Sequence, residues 1–220
     1  MFKRLGFTRP AALALAVLAF ALVPAARAQD APKPEKPAKA APKTYAERRA
    51  ADGPWAQGAD WISFGAGYAR AGGKNAGDAL GGYGIGYRHM MSNKYSFGVS
   101  IRHELLGHLG NSYEISVPMT AEFTRHFHWK TAFRPYLGLG GGYYFHKYYR
   151  TSHDYTGAPG GGWHISTGAD LPLDDRHTLG LDARVGFVDT RAENIVNPVF
   201  GPEPATLSQW SIKLNWAIVN

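Results

Sequence analysis

Over Trp210–Val219 every second residue is large and apolar: Trp210, Ile212, Leu214, Trp216 and Ile218 alternate with Ser211, Lys213, Asn215 and Ala217. A period of two places the sets on opposite faces of one strand. One face carries two tryptophans, a residue favoured where lipid meets water, and the other a lysine and an asparagine. Such a strand fits a wall between hydrocarbon and a polar interior. Period two does not say which face is wet, so a soluble lipocalin-like barrel with the reverse polarity is the competing architecture. The charges on the polar faces below decide against it, because that barrel would need its interior crowded with Trp and Tyr.

The same rhythm runs back to Trp61 and predicts eight strands: Trp61–Ala71, Leu80–Met91, Lys94–Leu105, Ser112–Phe127, Phe133–Tyr148, Gly161–Leu171, His177–Val188 and Leu207–Val219. Several meet or exceed the roughly 9–11 residues of a tilted membrane-spanning strand. Connections after the second, fourth and sixth strands are short (Ser92-Asn93, His128–Ala132, Pro172–Arg176). Those after the first, third, fifth and seventh are longer (Gly72–Ala79, Leu106–Asn111, Tyr149–Gly160, Asp189–Thr206). Short turns at one rim and longer loops at the other mark an outer-membrane barrel, with both chain ends on the periplasmic, short-turn side. The last long connection carries Phe200 with Pro198, Pro202 and Pro204, which stiffen it for contact.

The chain before the strands has a different composition. Lys3, Arg4 and Arg9 precede an apolar run over Ala11–Val23, and Ala26-Arg27-Ala28 supplies small residues at a cleavage site, so residues 1–28 read as a signal peptide. Residues 29–58 begin with an Ala/Pro/Lys-rich stretch that cannot bury a core, and are expected to be a disordered periplasmic linker. One or two helical turns are expected over Thr44–Ala51, stopped by Gly53-Pro54. This linker is the segment placed to touch the cell wall or a periplasmic partner. The barrel domain is 59–220.

Removing residues 1–28 takes 24 basic residues to 20 against 17 acidic ones, and the formal charge from +7 to +3. That gives no argument for nucleic acid. Cysteine is absent, which excludes disulfides and thiolate metal sites.

The stretch Val117-Pro118-Met119-Thr120-Ala121-Glu122-Phe123, then Arg134-Pro135-Tyr136-Leu137-Gly138-Leu139-Gly140-Gly141-Gly142-Tyr143-Tyr144-Phe145, resembles the small outer-membrane β-barrel family, the opacity-protein and OmpA/OmpX/OmpW-like eight-stranded barrels. The resemblance covers about Trp61 to Asn220. It implies an all-β, eight-stranded antiparallel transmembrane β-barrel in an envelope of the Gram-negative type. The partners it implies are outer-membrane lipid, lipopolysaccharide and the barrel-assembly machinery. Its motifs are glycines and aromatics, so the implied role is non-enzymatic: envelope integrity or surface interaction through the loops.

The strand phase points Arg88, Arg102, Glu114, Glu122, Asp170, Asp182, Arg184 and Lys213 inward. An eight-stranded barrel is only wide enough for side chains to fill, so these are expected to form a plug of ion pairs. The alternative is a narrow polar passage gated by Arg102 and Glu122.

Two histidine patterns invite chemistry. His126-x-His128 has a spacing that can hold a divalent metal but lacks a third ligand, and no cofactor is called for. Ser152-His153-Asp154 spells a triad in sequence order, whereas a triad needs convergence in space. Some barrels of this size modify lipid A as acyl hydrolases, with a His-x-Ser pair and a nearby acid on the lipid-facing wall. His164-Ile165-Ser166 with Asp170 matches that spacing, but its phase faces inward.

Overall fold

In the computed structural model the described residues are 44–72, 81–109, 112–128, 132–150, 153–156, 160–189, 196–197, 201–202 and 206–220. The expected signal peptide and the Ala/Pro/Lys-rich stretch lie outside them, as do Phe200, Pro198 and Pro204.

The strands are β1 (Asp60–Ala71), β2 (Gly81–Met90), β3 (Tyr95–Leu109), β4 (Ser112–His126), β5 (Arg134–Arg150), β6 (His153–Thr156), β7 (Gly160–Pro172), β8 (His177–Asp189), β9 (Val196–Asn197), β10 (Gly201–Pro202) and β11 (Thr206–Val219). The sheet order is β4-β3-β2-β1-β11-β8-β7-β5-β6, and a β4–β5 pairing closes it into a ring of eight long antiparallel strands. Closure removes both sheet edges, leaving no open ladder within the wall. Strand β11 seals the ring against β1 in the register Trp61↔Val219 to Ala71↔Gln209. Among the described residues no helix is long and apolar enough to cross a membrane, which says nothing of a crossing by strands.

Two of the long connections contain more pairing than the sequence shows. Strand β6 pairs back on residues 147–150 of β5, and β9 pairs with β10. Strand β3 also runs on to Leu109, past an irregularity between Leu105 and Gly107, where a loop is expected from Leu106.

The alternation resolves into a hydrocarbon-facing exterior and a polar interior. Ile62, Phe64, Tyr68, Ile85, Val99 and Leu139 point out, while Lys213, Asp182, Arg184 and Glu104 are buried inside. A soluble barrel reverses this polarity. Aromatics collect toward both ends of the outer wall. Phe64 stacks on Trp216, and Tyr95 on Phe123, near the short-turn end; Trp163 stacks on Phe187 toward the other.

Leu214 lies between the two rings, outward and 56 % exposed. Leu214→Arg is therefore expected to cost about 2–4 kcal/mol in lipid vesicles, measured by urea unfolding. A leucine facing water would tolerate the same change within about 0.5 kcal/mol, and that result would count against the lipid-facing wall.

The β7–β8 turn shows how a short connection is fixed. The Asp174 side chain accepts from the backbone N–H groups of Arg176 and His177 at 2.7 and 2.8 Å. The His177 ring bonds to the same carboxylate, and these hydrogen bonds hold the Asp174 carboxyl below its usual range. A depressed folded value stabilises at higher pH, and that contribution fades as pH falls through it. Wild type should lose stability relative to Asp174→Asn below about pH 4, followed by unfolding at stepped pH.

From Thr44 to Ala59 the chain carries the expected helical turns but is packed rather than a disordered linker. Residues Tyr45–Asp52 form a helix, α1, and Gly53–Trp55 a turn of 3-10 helix. Thr44 and Glu47 close a reciprocal capping box at the start. Gly53, at φ 59°, ends α1 in a backbone region that glycine adopts without strain. Trp55, Ala56 and Ala59 are buried against the short-turn end of the barrel. Residues 44–58, expected to be disordered linker, thus pack as part of the barrel unit Thr44–Asn220.

Candidate functional site: the charged lumen

The eight charged residues expected inside face the barrel interior, and seven of them meet partners across the lumen rather than along the sheet. Arg88 on β2 donates to Asp170 on β7 at 3.1 Å, and Arg102 on β3 to Asp182 on β8 at 3.2 Å. In each case the partners sit four places apart in the ring of eight, on facing walls. Arg88 also lies over the rings of Trp61 and Tyr136, 5.3 and 5.2 Å from their centroids.

Glu122 on β4 is the hub. One carboxylate oxygen accepts from Arg184 at 2.8 Å and from His164 Nε2 at 2.9 Å; the other accepts from the Thr124 hydroxyl at 3.0 Å. With Glu122 ionised, His164 Nε2 carries the proton, and in the neutral ring Nδ1 accepts from the Tyr144 hydroxyl at 3.1 Å. Inward glycines on β5 make room for this cluster. A Cβ on Gly138 would stand 2.8 Å from the Glu122 carboxyl, and one on Gly140 would collide with the His164 ring.

Toward the long-connection end Lys213 Nζ donates to Glu104 Oε1 at 2.6 Å, both side chains almost fully buried. Glu114, also inward, is buried and has interactions of its own.

Glu104, Tyr136 and Tyr144 take part in the network without being among the charges expected inside. Glu104 follows Arg102 by one inward step on β3, so the alternation carried past Arg102 would have found it. Tyr136, which donates to Asp182 at 2.9 Å, and Tyr144 share the phase of Gly138, Gly140 and Gly142.

Between the Arg88, Arg102 and Arg184 pairs lies a cavity of about 70 Å³, lined also by Ser63, Ser100 and Asn215. Arg102 Nη1 and Arg184 Nε are buried without a protein partner among the described residues. Buried donors of this kind are satisfied by water, and a cavity this size holds more than one molecule. The lumen is therefore a network of paired charges around a polar cavity with room for water. Arg102 and Glu122, the residues of the alternative gated passage, do not pair with each other: each is held by a different partner.

The residues considered for other chemistry separate. His164, Ser166 and Asp170 all face inward, as their phase indicates. Both His164 nitrogens are engaged by Glu122 and Tyr144, Asp170 is engaged by Arg88, and Ser166 Oγ has no partner among the described residues. His126 is buried, its Nε2 on the Ser96 hydroxyl at 2.9 Å. His128 sits exposed at the rim, 3.1 Å from the Asn93 carbonyl oxygen. The two rings do not share a ligand position. Ser152 lies outside the described residues, and the backbone of His153-Asp154 is in β6.

A closed ring of eight antiparallel strands, apolar outside and ion-paired inside, can be compared with solved barrels. Neisserial surface protein A superposes with a TM-score of 0.61 at 13 % identity, covering 73 % of this chain and 98 % of its own. The fold is that of the small eight-stranded outer-membrane barrels. Ail, the attachment invasion locus protein of Yersinia pestis, superposes with a TM-score of 0.50 at 13 % identity, covering 74 % of this chain and 99 % of its own. Its complex with the heparin analogue sucrose octasulfate gives 0.51 at 14 % identity. No family model and no curated protein matches the sequence. At 13–14 % identity the likeness is one of fold, carried by strand geometry rather than by sequence.

Proposed function

We propose that the protein resides in the outer membrane as a non-enzymatic barrel, and contributes to envelope integrity or surface interaction through its long-connection end. The observation that carries this reading is the uneven height of the wall. Strands β3, β4 and β5 have 15, 15 and 17 residues, against 12 and 10 for β1 and β2. The short turns tie neighbouring strands together at one end, so the excess rises at the other. There β3, β4, β5 and β6 continue as a sheet beyond the length a membrane crossing needs.

The orientation follows the rule for such barrels: short turns and the N-terminal segment on the periplasmic side, long connections outside. Lipid and lipopolysaccharide are then the immediate surroundings, the barrel-assembly machinery the route of insertion, and the stretch before Thr44 the part placed to reach the cell wall. A role in attachment, carried by Ail in its name, is compatible with this placement. The inward setting of His164 and Ser166, away from acyl chains, supports the non-enzymatic reading.

The test compares a deletion strain complemented with the full protein or with a version whose β3–β4 and β5–β7 connections are cut back to the aromatic ring. Membrane insertion is checked by the gel shift between unheated and boiled extract. Detergent sensitivity and surface adhesion are then measured. The trimmed barrel should insert and fail to restore the phenotype; full restoration would sink the proposal. Altered lipid A acylation in His164→Ala or Ser166→Ala strains would instead move the protein to the acyl-hydrolase class.

A further inference from the structure

The segment from Thr44 to Ala59 crosses the short-turn mouth and fastens to several sides of it. The Tyr45 hydroxyl donates to the backbone carbonyl of Asn220, beyond the end of β11, at 2.9 Å. Arg49 donates to the Asp175 carbonyl in the β7–β8 turn, and Asn93 in the β2–β3 turn donates to Asp52 at 3.2 Å. Gly58 and Ala59 exchange backbone hydrogen bonds with Met90 at the end of β2, at 2.8 and 2.9 Å. The Trp61 indole donates to the Pro54 carbonyl at 2.8 Å. From the far wall, the Arg134 guanidinium lies 4.3 Å from the Trp55 ring centroid.

The fastened segment completes an apolar plate. Trp55, Ala59, Trp61, Met90, Ala217 and Val219 form one buried cluster. Trp61 and Ala217 also line the charged cavity, so the plate lies directly beneath it. A polar, hydrated space floored by tryptophan and aliphatic side chains is sealed as a hydrophobic constriction seals a pore, by leaving water no partners on the way through.

We propose that residues 44–59 are a built-in stopper: they seal the short-turn mouth of the barrel, and loosening them opens the charged cavity to exchange with bulk water and small hydrophilic solutes. The fastenings are individually modest. Several are single hydrogen bonds to backbone carbonyls at the exposed surface, the class of contact that opens locally while the rest of a fold stays shut. Only the Trp55 side of the segment is buried in the plate, so the seal and the barrel wall are separable.

The chain has no cysteine, which makes the test direct. Ser63 lines the cavity, and Ser63→Cys places one thiol there with little change in volume. The full chain is refolded in detergent micelles and kept folded, as judged by the gel shift of the unheated sample. The rate of modification by a small charged thiosulfonate is then measured. With the segment intact labelling should be slow. Adding Trp55→Ala, or the pair Tyr45→Phe and Arg49→Ala that loosens only the outer fastenings, should raise the rate by about tenfold or more in folded protein. The outer pair keeps the test decisive if Trp55→Ala does not fold. Rapid labelling with the segment intact, or unchanged rates in the folded loosened variant, overturns the proposal.

Discussion

Lys213→Met is expected to lower the unfolding free energy by about 3–5 kcal/mol, because it leaves the Glu104 carboxylate buried with its charge uncompensated. The Lys213 and Glu104 side chains are only 2 % and 3 % exposed, so solvent screens neither. The bond between them, at 2.6 Å, joins β11 to β3 across the lumen. What the substitution removes is the compensation of a second charge, which is why the cost exceeds that of a surface pair. The double variant Lys213→Met with Glu104→Gln should recover much of the loss, since exchanging a buried pair for neutral groups of similar size is often close to neutral. Urea titration in lipid vesicles, followed by tryptophan fluorescence and by the fraction shifted on the gel, measures both. A single variant within about 1 kcal/mol of wild type, or a double variant no better than the single, would show that the pair is hydrated and carries little.

That pair also marks where the sequence stops being readable. Which residues face inward follows from a period of two, which is local, and every charge assigned to the interior is there. Which inward charges meet does not follow. Arg88 and Asp170 are separated by 82 residues, Arg102 and Asp182 by 80. Their meeting depends on strand tilt and on the stagger accumulated around the ring, neither of which is written in any one strand. Glu104 is legible by the same rule: it lies within the expected third strand, one inward step past Arg102.

The docking of residues 44–59 on the barrel is not legible in the sequence. The helical turns over Thr44–Ala51 and their stop at Gly53-Pro54 are legible, but nothing local says that they dock on the barrel. Their contacts lie far off in sequence: Tyr45 and Asn220 are 175 residues apart. The lipid-facing wall was the most legible part, because hydrocarbon imposes one requirement on every outward position.

Glu122→Ala should destabilise the barrel by about 3–5 kcal/mol, and Glu122→Gln by less, with the difference separating charge from shape. Arg184 is the reason for the larger figure. Besides Glu122 it donates to the Thr120 hydroxyl at 3.2 Å, and its Nε has no partner among the described residues, so removing the carboxylate leaves a nearly buried guanidinium on one neutral acceptor. Glutamine can keep one oxygen for both Arg184 and His164, with its amide nitrogen toward Thr124, but not the charge. His164 loses its Nε2 partner in the alanine variant and is left with Tyr144 alone. A double-mutant cycle between Glu122→Ala and Arg184→Met isolates the pair, and a coupling of at least about 1.5 kcal/mol is expected for groups in direct contact in one network. Additive losses would mean that the cavity water reaches the hub and screens it. In that case the lumen would be held together by packing of Tyr136, Tyr144 and Trp61 rather than by its charges, and Lys213 with Glu104 would stand as the one pair dry enough to count.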